Sequence, residues 1–203
     1  MGNYDTASKH WVEHWPEAVL KVIMPGARFI GHQPTELPQV QRMTDRVMRV
    51  VEEADGRELL LHVEIQTQWS ADVPRRIADY RTRFRFGRGE PVTSVVVILT
   101  QPPKGTKIVD RFVEGHGYDR IEVGFRVFEL WRTCFSWEQL QDNPDLVPLA
   151  ALSAETGAGD LWRLNEIVDS ADMDYDRKVD LQTILVIMAG RGCVGSQKRS
   201  SGL

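Results

Sequence analysis

Three polar side chains in two neighbouring segments are of the types that bind a divalent cation. Asp45 lies in the first segment, and Glu64 and Gln66 end the second, with the pair Asp55-Gly56 between them. An Asp-Gly pair between two apolar runs is a strong β-hairpin signal. If this pair forms the turn, the numbers of paired positions sum to 111, which places Asp45 opposite Gln66 and diagonal to Glu64.

This predicted hairpin gathers Asp45, Glu64 and Gln66 on one face of a sheet, because side chains alternate between faces along a strand. Directly opposite Cβ atoms are about 5 Å apart and diagonal ones roughly 7 Å. Two carboxylates at that range repel each other unless a proton or a cation neutralises them. Two carboxylates, a backbone carbonyl and waters are ligands that Mg²⁺ favours. The alternative is a solvated strand face with scattered charges.

A strongly basic helix is predicted directly after the hairpin, over residues 74–86, with Ser70 or Asp72 as its cap. Arg76 and Tyr80 are one turn apart on the same face of this helix. The density of arginine in an otherwise acidic protein indicates contact with a phosphate backbone. Two alternatives stay open: the arginines are solvated, or Arg76 locks a carboxylate of the site through a bidentate pair.

Together these residues resemble a known nuclease motif. Asp45, a hairpin and then Glu64-Ile65-Gln66 are similar to the PD-(D/E)XK nuclease core, in a variant with glutamine in place of lysine. The stretch HVEIQTQWSADVPRRIADY more closely resembles the Rpn-like group, the recombination-promoting nucleases and transposase-associated proteins. In that group a strand ending in Glu-x-Gln is followed by a helix with Arg-x-x-x-Tyr, here Arg76 and Tyr80. The resemblance covers roughly residues 4–130.

The resemblance implies a fold and an activity. The implied fold is α/β: a restriction-endonuclease-like core whose mixed central sheet contains the β-hairpin and is flanked by helices, followed by a C-terminal helical appendage. The implied activity is Mg²⁺-dependent DNA endonuclease activity, with Mn²⁺ as a substitute, little sequence specificity and a link to DNA recombination. The alternative is a non-catalytic member, in which the same fold acts as a nucleic-acid-binding or protein-binding module.

The resemblance also assigns roles to individual residues. The implied metal ligands are the side chains of Asp45 and Glu64 and the carbonyl oxygen of Ile65. The implied catalytic residues are Asp45, Glu64 and Gln66. The implied substrate-binding residues are Arg76, Tyr80 and Lys9. Related nucleases often carry a further acid on the first helix, for which the candidates are Glu13 and Glu17.

The composition is that of an ordinary soluble protein, with 42% hydrophobic and 27% charged residues among 203. A net charge of −4 argues against a generally basic nucleic-acid binder, although a local basic patch is enough for phosphate contact. Cys134 and Cys193 are far apart in the sequence, which predicts reduced thiols and a cytoplasmic location. No apolar run approaches the roughly 20 residues that cross a membrane. Cutting both DNA strands would suggest a homodimer.

The sequence predicts three regions: a nuclease-like core over 1–135, a helical region over 136–190 and a disordered tail over 191–203. Within the core, we predict a helix over 4–24 that is kinked or broken at Pro16, a loop over 27–41, a strand over 93–100 that is buried on both faces, and further strands over 104–130 that extend the sheet. In the helical region, we predict helices over about 159–168 and 175–188.

Overall fold

The structure is a computed structural model and describes residues 3–33 and 46–196. The chain divides into two compact units. We call Val19–Phe128 the sheet unit, and Met1–Ala18 with Glu129–Leu203 the helical unit. The predicted fold class is confirmed: the chain is α/β, with a mixed five-stranded sheet, flanking helices and a C-terminal helical region.

The helices and strands are numbered in chain order. The α-helices are α1 (Asn3–His14), α2 (Pro16–Ile23), α3 (Val73–Arg88), α4 (Trp137–Asp142), α5 (Val147–Ala150), α6 (Leu161–Ser170) and α7 (Tyr175–Ser196). The strands are β1 (Ala27–His32), β2 (Arg46–Glu52), β3 (Glu58–Gln66), β4 (Val92–Ile98), β5 (Arg111–Glu114), β6 (Ile121–Gly124) and β7 (Arg126–Glu129).

Strand β3 is the centre of the main sheet, whose order is β1-β2-β3-β4-β7. It pairs antiparallel with β2 and parallel with β4, and the parallel connection is made by α3, as predicted. The run from Leu59 to Ile65 is buried on both faces of the sheet. A cluster of buried residues joins the α3 side of β2, β3 and β4 to the helix: Val47, Leu60, Tyr80, Phe84 and Val92.

The hairpin between β2 and β3 is confirmed, but its predicted register is wrong. Arg46 pairs with Val63, so paired positions sum to 109 rather than 111. The connection is a five-residue loop, 53–57, between the end of β2 and the start of β3. Within it, Gly56 adopts a φ of 70° and donates its N–H to the carbonyl oxygen of Glu52 at 2.9 Å. A shift of two positions leaves every side chain on its predicted face.

Two further segments differ from the predictions. The loop predicted over 27–41 is wrong at its start, where β1 pairs with β2. The sequence pattern of this strand is weak because β1 is short and only half-buried. The rest of that loop, from residue 34, lies outside the described residues. The prediction that the strands over 104–130 extend the main sheet is wrong for two of them: β5 and β6 pair with each other in a separate two-stranded sheet, whereas β7 joins the main sheet. The chain changes sheets at the buried Phe125, between β6 and β7.

The helical unit contains the predicted C-terminal helices, α6 and α7. A break at Pro16 is confirmed, since α1 ends at His14 and α2 begins at Pro16. Helix α7 continues through residues 191–196, which the sequence assigns to the predicted tail, and 197–203 lie outside the described residues. Within the described ranges, every helix is too short or too polar to cross a membrane.

Candidate functional site

Glu64 lies near the carboxyl end of β3 and is buried, with 5% of its surface exposed. This burial excludes the alternative of a solvated strand face at this position. The side chain of Gln66 lies beside it: Gln66 Nε2 donates to Glu64 Oε1 at 2.8 Å and to the carbonyl oxygen of Ile65 at 3.1 Å. The Glu-x-Gln motif therefore forms one hydrogen-bonded group.

Arg76 connects α3 to this group. Its Nη2 donates to Glu64 Oε1 at 2.5 Å, and its Nη1 donates to Asp72 Oδ2 at 3.2 Å, one turn earlier on the helix. Its Nε is buried and has no hydrogen-bond partner among the described residues. Of the roles left open for Arg76, the observed one is contact with the carboxylate of Glu64, whose charge the guanidinium offsets. The contact is made by Nη2 alone and is not the predicted bidentate pair, because Nη1 donates to Asp72. Its predicted role in substrate binding stays a prediction.

Asp72 anchors the other end of the guanidinium. Although it occupies the N-cap position of α3, its side chain makes no capping hydrogen bond. Instead, Asp72 accepts hydrogen bonds from the Ser70 hydroxyl and from Arg76. The Ser70 hydrogen bond, followed by the charge of Arg76, lowers the pKa of the Asp72 carboxyl, so this carboxylate stays ionised beside the arginine. Arg76 thus bridges two carboxylates.

A buried polar group lies behind Glu64 on the same face of the sheet. His62 is 0% exposed; its Nδ1 is 3.3 Å from Ser94 Oγ, and its Nε2 is 3.8 Å from Glu64 Oε2. The ring of Tyr80 meets the His62 ring edge-on, with centroids 5.3 Å apart. Tyr80 is itself 7% exposed and packs in the core, and its predicted substrate-binding role stays a prediction.

The remaining predicted site residues are Asp45, Lys9 and the two acids of the N-terminal helices. Asp45 lies outside the described residues. Arg46, which follows it in the sequence, pairs with Val63, the residue before Glu64. Lys9 lies on α1 in the helical unit, and Glu13 and Glu17 are exposed there. The roles predicted for these residues stay predictions.

The donor set fits a hard cation in its chemistry. Glu64, the carbonyl group of Ile65 and the side chain of Gln66 supply oxygen atoms, which Mg²⁺ prefers to nitrogen or sulfur. Both hydrogen bonds described for Glu64 go to Oε1, and Oε2 lies 3.8 Å from His62 Nε2, so a cation that binds at Oε1 must displace one of these hydrogen-bond donors. Within residues 3–33 and 46–196, no cluster of three or more His, Cys, Asp or Glu side chains forms a metal site, and Asp45 is outside these ranges.

This chain matches no protein-family model, no curated protein and no solved structure. The resemblance to the Rpn-like group therefore rests on the quoted motif residues and stays a prediction. The α/β fold and the contacts around Glu64 are observed in the structure itself.

Sequence reasoning missed two residues that contact the site, His62 and Ser94. His62 has a detectable signal, because it lies two residues before Glu64 and therefore on the same strand face. Ser94 has no detectable sequence signal, because its contact with His62 depends on the parallel register of β3 and β4, in which these two residues are paired. Asp72 was predicted only as a helix cap, and its contact with Arg76 depends on the side-chain rotamers at the start of α3.

Proposed function

We propose that this protein is a Mg²⁺-dependent DNA endonuclease of the Rpn-like, transposase-associated type, which hydrolyses phosphodiester bonds with little sequence specificity. The observation that carries the proposal is the contact between the two halves of the motif. Arg76, from the Arg-x-x-x-Tyr helix, donates to Glu64, from the Glu-x-Gln strand, at 2.5 Å. Residues that the resemblance links by sequence alone thus meet around a buried carboxylate, as the parts of one site must.

The burial and location of Glu64 also support the proposal. A carboxylate 5% exposed is costly to keep ionised, so burial of this kind is common where a charge is used. It lies near the carboxyl end of a strand paired in parallel with β4, and such strand ends are frequent binding sites in α/β proteins. In this proposal Asp45, Glu64 and the carbonyl oxygen of Ile65 hold the ion.

When bound, Mg²⁺ would offset the charge that develops on the phosphate and lower the pKa of an attacking water. The chain's own residues supply positioning. Gln66 donates through Nε2 to Glu64 and Ile65, which leaves its amide oxygen to accept a hydrogen bond from a water. An amide cannot take up a proton. The proton of the water must therefore pass to another group, such as a phosphate oxygen of the substrate.

A second candidate is a non-catalytic module that binds nucleic acid or protein. The observation that favours it is that Glu64 is already neutralised: Arg76 and Gln66 both donate to Oε1. A carboxylate that is satisfied in this way needs no cation to remain buried. Glutamine in place of the motif lysine points in the same direction.

The proposal includes a cellular setting. We propose a cytoplasmic location, in line with the free and exposed thiol of Cys134. We further propose that the protein acts on DNA as a homodimer, because one active site per subunit then allows both strands to be cut.

The decisive experiment is plasmid nicking with Mg²⁺ or Mn²⁺ by wild type, Asp45→Asn and Glu64→Gln. We expect metal-dependent nicking that falls by about 100-fold or more in both variants, which remove a charge with little change in volume. The matched control is Glu58→Gln, which makes the same change at the exposed start of the same strand. We expect this control to cut as wild type does.

Each other outcome has a definite meaning. Nicking that survives Glu64→Gln overturns the proposed site, provided that circular dichroism shows a folded variant. DNA that is bound but left intact by wild type supports the non-catalytic module. An RNA of the same sequence, tested in parallel, shows whether the substrate class is DNA.

A further inference from the structure

The buried imidazole of His62 has one nitrogen without a hydrogen-bond partner. Its Nε2 is fully buried and makes no hydrogen bond to any described residue. A buried polar nitrogen left in this state costs on the order of 1–3 kcal/mol, so native proteins rarely keep one without a use. The nearest charged group is Glu64, whose Oε2 lies 3.8 Å away.

The orientation of the ring is fixed on two other sides. Ser94 Oγ lies 3.3 Å from Nδ1, because the parallel register of β3 and β4 places Ser94 directly beside His62. Tyr80, from α3, packs edge-on against the ring at an interplanar angle of 78°. Both neighbours are buried. The imidazole is therefore held with Nε2 3.8 Å from Glu64 Oε2.

The carboxylate selects the tautomer of this imidazole. A neutral imidazole carries one N–H, on either Nδ1 or Nε2. A bare Nε2 would direct its lone pair at a carboxylate oxygen 3.8 Å away, which is repulsive. An Nε2–H is attracted to that oxygen, and the Ser94 hydroxyl then donates to Nδ1. The favoured arrangement is a relay from the Ser94 hydroxyl through His62 to Glu64 Oε2.

We propose that His62 is a positioning residue for Glu64: its Nε2–H holds Oε2 while Oε1 exchanges Arg76 for a divalent cation. The distance must shorten from 3.8 Å to about 2.9 Å, which rotation about the terminal torsion of Glu64 can supply because that torsion is broad. His62 thus fixes the direction in which the carboxylate presents its ligand oxygen, as outer-shell partners of metal ligands do. The part of this inference that concerns the cation rests on the proposed function.

The tautomer is tested on the metal-free protein by ¹⁵N NMR of the imidazole nitrogens. We expect a protonated Nε2 and an unprotonated Nδ1 in wild type. In Glu64→Gln, which removes the charge that selects the tautomer with little change in volume, we expect a mixture of both tautomers. A wild-type ring protonated at Nδ1 overturns the relay, and this result does not depend on any activity.

The positioning role is tested by Mn²⁺ binding, measured by electron paramagnetic resonance. His62→Phe keeps a planar ring but removes the donor, and we expect about 10-fold weaker binding. His62→Gln keeps an N–H donor of similar reach, and we expect binding within about threefold of wild type, since the hydrogen bond is retained. This rescue separates a donor role from a packing role, because loss of packing alone would weaken both variants.

Failure of this inference can be told apart from failure of the proposed function. If His62→Phe, which lacks the donor, binds Mn²⁺ as tightly as wild type does, the inference is overturned and the proposed function is left intact. Equal loss in both His62 variants also overturns it, since packing then explains the effect. Wild type that binds no Mn²⁺ overturns both. Urea unfolding of each variant verifies that the protein measured is folded.

Discussion

Arg76 is the residue on which the buried charge of Glu64 depends. The two side chains meet at 2.5 Å, and they are 32% and 6% exposed, respectively. An ionised carboxylate at that depth is tolerated because a cation and an amide donor both contact Oε1. Removal of the guanidinium would leave the negative charge with Gln66 as its remaining described donor.

We predict that Arg76→Ala lowers the free energy of unfolding by about 2–3 kcal/mol, since it strands a buried charge. Urea denaturation at neutral pH measures this. The matched control is Arg83→Ala on the same helix. Arg83 pairs with Asp79 at 2.8 Å, but these side chains are 34% and 40% exposed. The control should therefore cost less than about 1 kcal/mol.

The double variant Arg76→Ala with Glu64→Gln sharpens this prediction. Neutralising Glu64 removes the charge that Arg76 offsets, so the double variant should be more stable than Arg76→Ala alone. A double variant that loses the full sum of the two single effects would contradict the electrostatic explanation. It would indicate instead that Arg76 acts through the packing of its aliphatic stem.

At the scale of single residues, the sequence predicts that the side chains of Glu64 and Gln66 lie together but not which groups offset the charge of Glu64. The faces of β3 follow from the period of two, so the approach of Gln66 to Glu64 is readable in advance. The sequence does not show whether Arg76 contacts a phosphate or a carboxylate, because a long side chain can extend in either direction. The choice depends on the height of α3 above β3, which is a tertiary property.

The β2–β3 hairpin determines which residues face each other across the sheet. Its loop contains Gly56 at a φ of 70°, with its N–H bonded to Glu52, and Arg57 donates its own N–H to Asp55 Oδ1 at 3.0 Å. These local bonds add residues to the connection and move the register by two positions from the prediction. An Asp-Gly pair indicates a turn reliably, but it does not state how many residues the turn contains.

We predict that Gly56→Ala destabilises the protein by about 1 kcal/mol, because an L-residue is strained at positive φ. The control is Gly31→Ala in β1, where φ is not positive and a Cβ would meet no atom within 4 Å. That change should be neutral or slightly stabilising. Thermal unfolding of both variants measures the difference, and equal effects would contradict the role of the left-handed loop conformation.

At the scale of elements, the buried and strongly patterned segments were the predictable ones. β4 is a β-branched run buried on both faces, and α3 has a proline in its first turn and a basic surface, so both were found from the sequence. β1 was missed because its pattern alternates only between half-buried and exposed positions. The break at Phe125 was missed because the alternation continues through it, although its two sides join different sheets.

For the whole molecule, the structure predicts an uneven resistance to local opening. The central strands β3 and β4 are almost fully buried, whereas β5 and β6 form a two-stranded ribbon with mostly exposed positions. Strands that bury little apolar surface open without unfolding the remainder. The ribbon should therefore behave as a separate, weaker element.

Hydrogen exchange followed by mass spectrometry tests this prediction. Amides of Glu58–Gln66 and Val92–Ile98 should exchange at least on the order of 100-fold more slowly than those of Arg111–Glu114 and Ile121–Gly124. The amides of β3 and β4 should become labelled only on global unfolding. The denaturant dependence of their exchange rate should equal that of global unfolding. Equal protection in both pairs of strands would contradict the distinction.

Strand β1 forms one border of the described sheet, and its register with β2 shifts between Phe29 and Gly31. Ile30, at that irregularity, is 43% exposed. An unbroken row of backbone donors at a border is a template on which foreign strands can stack without limit. The irregularity interrupts that row and increases the local twist. This border, with its exposed apolar residue, is therefore a poorer template for a foreign strand than a regular edge would be.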